Sequence, residues 1–194
     1  MPRIGVETER RQSLVKAAIE VIGRTGSLDV PVKDIARKAG MSPALAFHYF
    51  GDKDEIITAT MRHLLRALTG EFARGLAGRT DPLARVEAVI EASFAASQFD
   101  RNTVAAWLVF YVHAFQAKGA ARLLTIYSAR LDSNLRHALR GLFDDAKAER
   151  VAAGLAALID GLYVRHALRR TGPDRTEAIA LCLDYLDAQR RSHH

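Results

Sequence analysis

The segment from residue 32 to residue 53 carries side chains whose types and spacing suit contact with a nucleic acid. In the helix predicted to begin at Ser42, the 3.6-residue period turns Ala44 and His48 outward and places Phe47 on a flank. Small and aromatic side chains are unusual on a solvated helix face. They suit a helix that enters a DNA major groove, where thymine methyl groups accept apolar contact. The segment therefore predicts a recognition helix, with an ordinary pair of antiparallel helices as the alternative.

The sequence around this helix predicts a helix-turn-helix. Four apolar residues recur at positions i, i+3, i+4 and i+7 of a first short helix: Val32, Ile35, Ala36 and Ala39. Gly40 follows, and glycine adopts the left-handed conformation that ends a helix without a steric penalty. Ser42 is a favourable N-cap for the second helix, and Pro43 is a favourable first residue. Three residues of the second helix are expected to face inward: Ala46, Tyr49 and Phe50.

The rest of the chain also shows helical periodicity. A helix is predicted from about residue 8 to 25, after a short arm that carries Arg3, and Asp52 caps a long helix over about 53–75. Turn-forming residues divide the remainder into five helices: 82–99, 102–118, 119–143, 146–170 and 174–190. The prediction is an all-α protein of about nine helices. The stretch 102–118 is apolar nearly all round, so we expect it at the centre of a second, larger body.

The composition fits a folded protein with a polyanionic partner. The 194 residues are 49% hydrophobic, which is enough for a substantial core. Lys and Arg number 28 against 22 Asp and Glu, which gives a net charge of +6 and a sequence pI near 9.8. The single cysteine, Cys182, excludes an intramolecular disulfide, as is typical of the reducing cytoplasm. The chain shows neither an apolar leader nor an uninterrupted apolar run of about 20 residues, so we expect a cytoplasmic protein that does not span a membrane.

Residues that would mark an enzyme are scattered. The chain has seven histidines, of which only His193 and His194 are adjacent, and no His or Cys spacing matches a metal site. It contains no glycine-rich phosphate loop, and Cys182 has no activating neighbour in the sequence. We therefore predict no catalytic residue, no metal ion and no cofactor, and a protein that is not an enzyme.

The last two helices carry a pattern that favours self-association. Gly154, Ala157 and Gly161 form a stripe of small residues, which lets a neighbouring helix approach closely. The final helix adds three leucines: Leu181, Leu183 and Leu186. The pattern indicates a surface on which two copies pair, with the domain's own core as the alternative.

These features together resemble the TetR family of transcriptional repressors. The resemblance rests on Asp34-Ile35-Ala36, Ala39-Gly40, Ser42, His48-Tyr49-Phe50 and Asp52-Lys53. Further blocks are similar to the BetI-type branch of that family, which represses the conversion of choline to glycine betaine. They are MPRIGVETERRQ at the start, AWLVFY at 106–111, RLLTIYSARLDSNL at 122–135 and GLAALIDGLYVRHAL at 154–168.

The resemblance implies an α-helical homodimer that binds double-stranded DNA at a near-palindromic operator and is released by a small-molecule effector. It implies a DNA-binding domain over residues 1–52 and a ligand-binding and dimerisation domain over 53–194. It places DNA contacts at Lys33, Ser42, Ala44, Leu45, Phe47, His48, Tyr49 and Lys53. Tyr49 and Lys53 would bind phosphate, and Ala44, Phe47 and His48 would meet base edges. In one departure, the family often has Thr at the start of its second helix, where Pro31-Val32 here offers no hydroxyl.

The implied effector is choline or a related quaternary ammonium ion. Such a cation has no N–H donor and is bound by aromatic faces. The aromatic candidates are Phe94, Trp107, Phe110, Tyr111, Tyr127 and Tyr163, each of which also suits a core. Asp160 is costly to bury without a cationic partner, which is the effector or, as we expect for this family, Arg165 or a helix end. Two alternatives remain: a TetR-like sensor of bulky hydrophobic or cationic compounds, and a dimeric helical ligand-binding protein without DNA binding.

Overall fold

The computed structural model of the chain describes residues 4–192, with side chains from Val6 onward. This range contains nine α-helices and no β-strand, which confirms the predicted all-α class. The helices are α1 (Ile4–Thr25), α2 (Val32–Lys38), α3 (Pro43–Phe50), α4 (Lys53–Leu76), α5 (Pro82–Ser93), α6 (Arg101–Ala114), α7 (Lys118–Leu139), α8 (Asp145–Ala167) and α9 (Arg175–Arg191). None of the helices within residues 4–192 combines the length and apolar composition that a membrane span requires.

Several predicted helix ends were wrong. Helix α1 already begins at Ile4, so residues 4–7 of the predicted arm are helical, whereas Arg3 lies outside the described residues, as do His193 and His194. Helix α6 ends at residue 114 instead of 118, and α7 ends at residue 139 instead of 143.

Helix α5 ends at Ser93, six residues before the predicted end. At this end, side chains from other helices donate hydrogen bonds to the backbone carbonyl oxygens. The Tyr163 hydroxyl donates to the Ser93 carbonyl oxygen at 2.6 Å, and the Arg175 Nε donates to the Phe94 carbonyl oxygen at 2.8 Å. These donors satisfy carbonyls that a continued helix would have bonded internally. Side chains from α8 and α9 therefore fix the end of α5.

One compact unit consists of the chain up to Leu64 together with residues 101–123. In this unit α1 packs against α2, α3 and α6, and its apolar face is fully buried at Leu14, Ala18 and Ile22. The prediction that residues 102–118 form the centre of a second body is therefore corrected, because α6 packs on α1. Val112 is 63% exposed, so α6 is not enclosed on every side.

The other compact unit consists of residues 65–100 and the chain from Leu124 onward. Here α9 packs against α5 and α8. A Cβ atom added to Gly154 would lie only 2.0 Å from the Tyr185 hydroxyl oxygen, so this glycine accommodates the chain's own α9. The part of the small-residue stripe at Gly154 thus belongs to the core of the unit, as the alternative interpretation held. At Gly161 an added Cβ would meet no described atom within 4 Å.

These compact units do not follow the predicted boundary at residue 53. Helix α4 contributes its first half to one unit and its second half to the other, and residues 101–123 join the helices of the N-terminal region. The division into a DNA-binding domain over 1–52 and a ligand-binding domain over 53–194 is a division by function, and it stays a prediction.

Candidate nucleic-acid interface and effector site

The turn between α2 and α3 has the geometry predicted from its sequence. Gly40 has a φ angle of +68°, in the left-handed region that favours glycine, and the Met41 N–H donates to the Ala36 carbonyl oxygen at 3.0 Å. The Ser42 hydroxyl oxygen accepts a hydrogen bond from the Leu45 N–H at 3.2 Å, which confirms the predicted N-cap. The Gly40 conformation and the Ser42 cap therefore define a short turn between α2 and α3.

Helix α3 presents the outward face that its period predicts. Ala44 and His48 are exposed, and Phe47 retains 43% of its accessible surface. On the opposite side Ala46 and Phe50 are buried, while Tyr49 is half-buried and its ring centroid lies 5.6 Å from that of His48. This arrangement leaves one aliphatic and two aromatic or heteroaromatic side chains available on α3 for a partner, as a recognition helix requires.

Two of the predicted cationic contacts flank this face. Lys33 is exposed near the start of α2, and Lys53 is the first residue of α4. The Lys53 Nζ lies 3.7 Å from Oδ1 of the fully exposed Asp29. Because an exposed ion pair contributes at most about 1 kcal/mol, Asp29 holds this ammonium only weakly. Pro31 is the N-cap of α2 and provides no side-chain hydrogen bond, as the departure from the family pattern predicted.

Helix α1 holds both helices of the helix-turn-helix through polar contacts. The Arg11 guanidinium donates to the Tyr49 carbonyl oxygen and lies over the Phe50 ring, with Cζ 4.4 Å from the ring centroid. The Lys38 Nζ on α2 lies 2.6 Å from the Glu20 carboxylate on α1. Sequence reasoning did not find Arg11, because it precedes Tyr49 by 38 residues and no local pattern joins the two.

In the second unit, two tyrosines and a carboxylate are coupled electrostatically. Burial, followed by the nearby Asp160 carboxylate, raises the pKa of Tyr127. Burial also raises the pKa of Tyr163, with smaller contributions from Tyr127 and Asp160. Tyr127 and Asp160 nevertheless keep part of their accessible surface, whereas Tyr163 is buried. The group thus consists of two of the aromatic candidates and the predicted carboxylate.

The remaining effector candidates, apart from Tyr111, are core residues of the unit in which each lies. Phe94 is fully buried, with its ring stacked 5.9 Å from Tyr163 and edge-on at 5.0 Å to Phe99. In the first unit Trp107 and Phe110 are buried. Tyr111 is half-buried, with its ring centroid 6.4 Å from that of Trp107. Of the predicted ligand residues, Trp107, Phe110 and Tyr111 therefore lie in the first unit, and Phe94, Tyr127 and Asp160 lie in the second.

Comparison with known proteins identifies the class to which this architecture belongs. Residues 14–60 match the family described as bacterial regulatory proteins of the tetR family, and residues 82–191 match the BetI-type transcriptional repressor C-terminal family. A regulator from Brucella anthropi named HTH-type transcriptional regulator BetI is 54% identical over 190 residues, which cover 97% of each chain. One of the same name from Agrobacterium fabrum is 48% identical over 192 residues, 99% of this chain and 93% of the relative.

Solved structures share the same fold. A transcriptional regulator from Saccharomonospora viridis, determined in complex with choline, superposes with a TM-score of 0.81 at 22% identity and covers 93% of this chain and 96% of its own. A TetR transcription regulator from Haloarcula marismortui gives a TM-score of 0.80 at 21% identity, over 93% of this chain and 98% of its own. At these identities the similarity establishes the fold.

The helix-turn-helix with its exposed α3 face, together with a larger helical region, is the architecture of a DNA-binding transcriptional regulator. The chain belongs to the TetR family and, within it, to the BetI-type transcriptional repressors. Its relatives are named as regulators, which confirms the expectation that the protein is not an enzyme.

Proposed function

We propose that this repressor leaves its operator when it binds choline or a related quaternary ammonium ion, and that it controls genes for glycine betaine synthesis. Two comparisons support the proposal. Relatives that are 48–54% identical over nearly their full length are named BetI, and a regulator of the same fold was solved with choline. The chemistry of residues in the second unit provides independent support.

The observation that carries the proposal is the coupled group of Tyr127, Asp160 and Tyr163. Burial is the main cause of the raised pKa of both phenols, and the negative charge of Asp160 raises both further. Burial raises the pKa of Tyr127 although the residue keeps part of its accessible surface, so its ring lies at the edge of the packed interior. Aromatic faces together with one negative charge match a permanent cation that carries methyl groups instead of N–H donors.

For the DNA side, we propose that α3 enters the major groove. Ala44, Phe47 and His48 would meet base edges, and Leu45 would add apolar contact. Phosphates would be bound by the remaining predicted residues: Lys33, Ser42, Tyr49 and Lys53. Access to chromosomal DNA implies that the protein acts in the cytoplasm.

We also propose that two copies pair through α8 and α9 to read a near-palindromic operator. Val164, Leu168 and Leu181 expose 46%, 77% and 42% of their surfaces, and Gly161 lies on the same pair of helices. Burying such side chains against a second copy would remove apolar area from water. A two-fold dimer would place two recognition helices roughly 34–36 Å apart, one turn of B-DNA.

Calorimetry tests the effector. We expect binding heat with choline and betaine aldehyde, and an affinity for choline lowered at least about tenfold in Asp160→Asn and in Tyr127→Leu. Tyr127→Phe keeps the aromatic face and is the matched control, expected to bind close to wild type. Absence of heat with both choline-pathway compounds would reject the proposal. Heat with a lipophilic cation alone would instead identify a sensor of bulky cations.

A gel-shift titration tests operator release. The DNA probe is the region upstream of the operon adjacent to the gene, with unrelated DNA of equal length as control. We expect a specific complex that weakens steeply with salt, because binding releases condensed counterions, and that dissociates when choline is added. A complex that forms equally on both probes, or that choline leaves intact, would contradict the proposal.

A further inference from the structure

The recognition helix is too short to hold its own geometry. Helix α3 has only eight residues, about two turns, and isolated helices of that length are marginal in water. Its last carbonyl groups lack partners within the helix, apart from the Phe47 carbonyl oxygen, which accepts the Gly51 N–H at 2.7 Å. The exposed face that would read DNA therefore depends on contacts from outside α3.

Arg11 of α1 supplies two such contacts at the C-terminal end of α3. Its Nη1 donates to the Tyr49 carbonyl oxygen, and its guanidinium lies over the ring of Phe50, with Cζ 4.4 Å from the centroid. The two contacts fall on consecutive residues of α3, directly after His48. A hydrogen bond fixes the position of the backbone, and the stacking contact fixes the helix end against α1.

We propose that Arg11 is a positioning residue for the recognition helix, which holds the C-terminal end of α3 on α1 and acts on DNA through the orientation of His48 and Tyr49. The proposal rests on the proposed function in so far as α3 is the helix that reads the operator. In this proposal the side chain of Arg11 connects α1 to α3, and the side chains of α3 make the contacts with base edges.

The identity of the side chain matters for this role. A planar guanidinium donates in its plane while its face covers an aromatic ring. A lysine ammonium is a compact point charge on a flexible stem, so it does not satisfy both contacts in one fixed geometry. Arg10 carries the same charge and provides a control. It is exposed one position earlier on α1, about 100° around the helix from Arg11.

The salt dependence of operator binding separates positioning from a phosphate contact. A lysine in place of Arg11 would preserve a phosphate contact, and loss of one such contact lowers the slope of log K against log salt by about 0.9. For a positioning residue, we expect Arg11→Lys and Arg11→Gln each to lower operator affinity roughly tenfold, with the slope of Arg11→Gln equal to that of wild type. Wild-type affinity in Arg11→Lys, together with a reduced slope in Arg11→Gln, would overturn the proposal.

Hydrogen–deuterium exchange of the DNA-free protein provides a test independent of the operator. We expect the amides of residues 47–51 to exchange several-fold faster in both Arg11 variants, because the C-terminal end of α3 frays more often. Arg10→Gln removes the same charge from the same helix and should leave this exchange unchanged. Unaltered exchange in both Arg11 variants would refute the positioning role. A wild-type protein that binds no operator, with faster exchange in the Arg11 variants, would count against the proposed function and leave the role of Arg11 in place.

Discussion

The contact between α1 and α6 provides a sharp test of how the first unit is packed. Gly23 lies in α1, and a Cβ atom at this position would lie 2.1 Å from the Asn102 carbonyl oxygen and 2.7 Å from its Cα. Both obstructing atoms belong to the backbone of α6, so no side-chain rotation relieves the clash. Gly23→Ala must therefore move one helix relative to the other.

The size of the effect follows from two opposing contributions. Alanine is more favourable than glycine within a helix by up to about 1 kcal/mol. Against this, restoring an ordinary contact of 3.4 Å requires a displacement of about 1.3 Å along the clash direction, the difference between 3.4 and 2.1 Å. Overpacking of this kind costs about 1–3 kcal/mol. We expect a net loss of roughly 1–2 kcal/mol, which lowers the Tm by about 2–8 °C for a chain of this length.

Thermal unfolding followed by circular dichroism measures this loss. The control is Gly119→Ala in α7, since that glycine is exposed and an added Cβ would meet no described atom within 4 Å. The control should leave the Tm unchanged or raise it slightly. A Tm of Gly23→Ala equal to or above that of wild type would show that α1 and α6 are not in backbone contact in solution, and the reasoning would fail.

Three further predictions concern individual side chains. Phe47→Ala should change the free energy of unfolding by less than about 0.5 kcal/mol but lower operator affinity roughly tenfold in a gel shift; equal affinity would remove Phe47 from the interface. Tyr163→Phe should cost about 1–3 kcal/mol in urea unfolding, because a buried backbone carbonyl loses its hydroxyl donor; an unchanged midpoint would contradict the bond. Burial, assisted by Arg169, lowers the pKa of His166 below 6.5. The unfolded chain then binds more protons between the folded pKa and 6.5, so stability should fall as the pH drops through this window. Urea unfolding of His166→Gln at several pH values should show a smaller slope, and an equal slope would exclude His166 as its source.

The sequence predicted the helix-turn-helix well because its signals are local. The Ser42 cap, the Gly40 turn and the spacing of apolar residues each act within one or two helical turns, so they specify the same structure with or without the rest of the fold. The early end of α5 illustrates the opposite case. Its periodicity continues past Ser93, but donors from α8 and α9, far along the chain, bond its last carbonyls.

Placing the candidate site residues depended on contacts that no local pattern contains. Sequence reasoning named Asp160 and the tyrosines separately. In the structure, the negative charge of Asp160 contributes to the raised pKa of both Tyr127 and Tyr163. Sequence reasoning placed α6 at the centre of a second body because the residues of that helix are apolar on nearly every side. Periodicity records how much of a helix is apolar and gives no information about which neighbour covers it. Here the neighbour is α1.

The small-residue stripe of α8 shows why such a pattern alone does not separate folding from association. At Gly154 the chain's own Tyr185 occupies the space that a Cβ would need, so this glycine is explained by packing within one copy. Two turns later, Gly161 faces open space. Val164, on the next turn of α8, and Leu168, the residue that follows the helix, are exposed. Small size permits close approach of any helix, whichever chain it belongs to. Because α9 of the same chain already covers α8 at Gly154, the proposed pairing of two copies depends on the Gly161 end of α8.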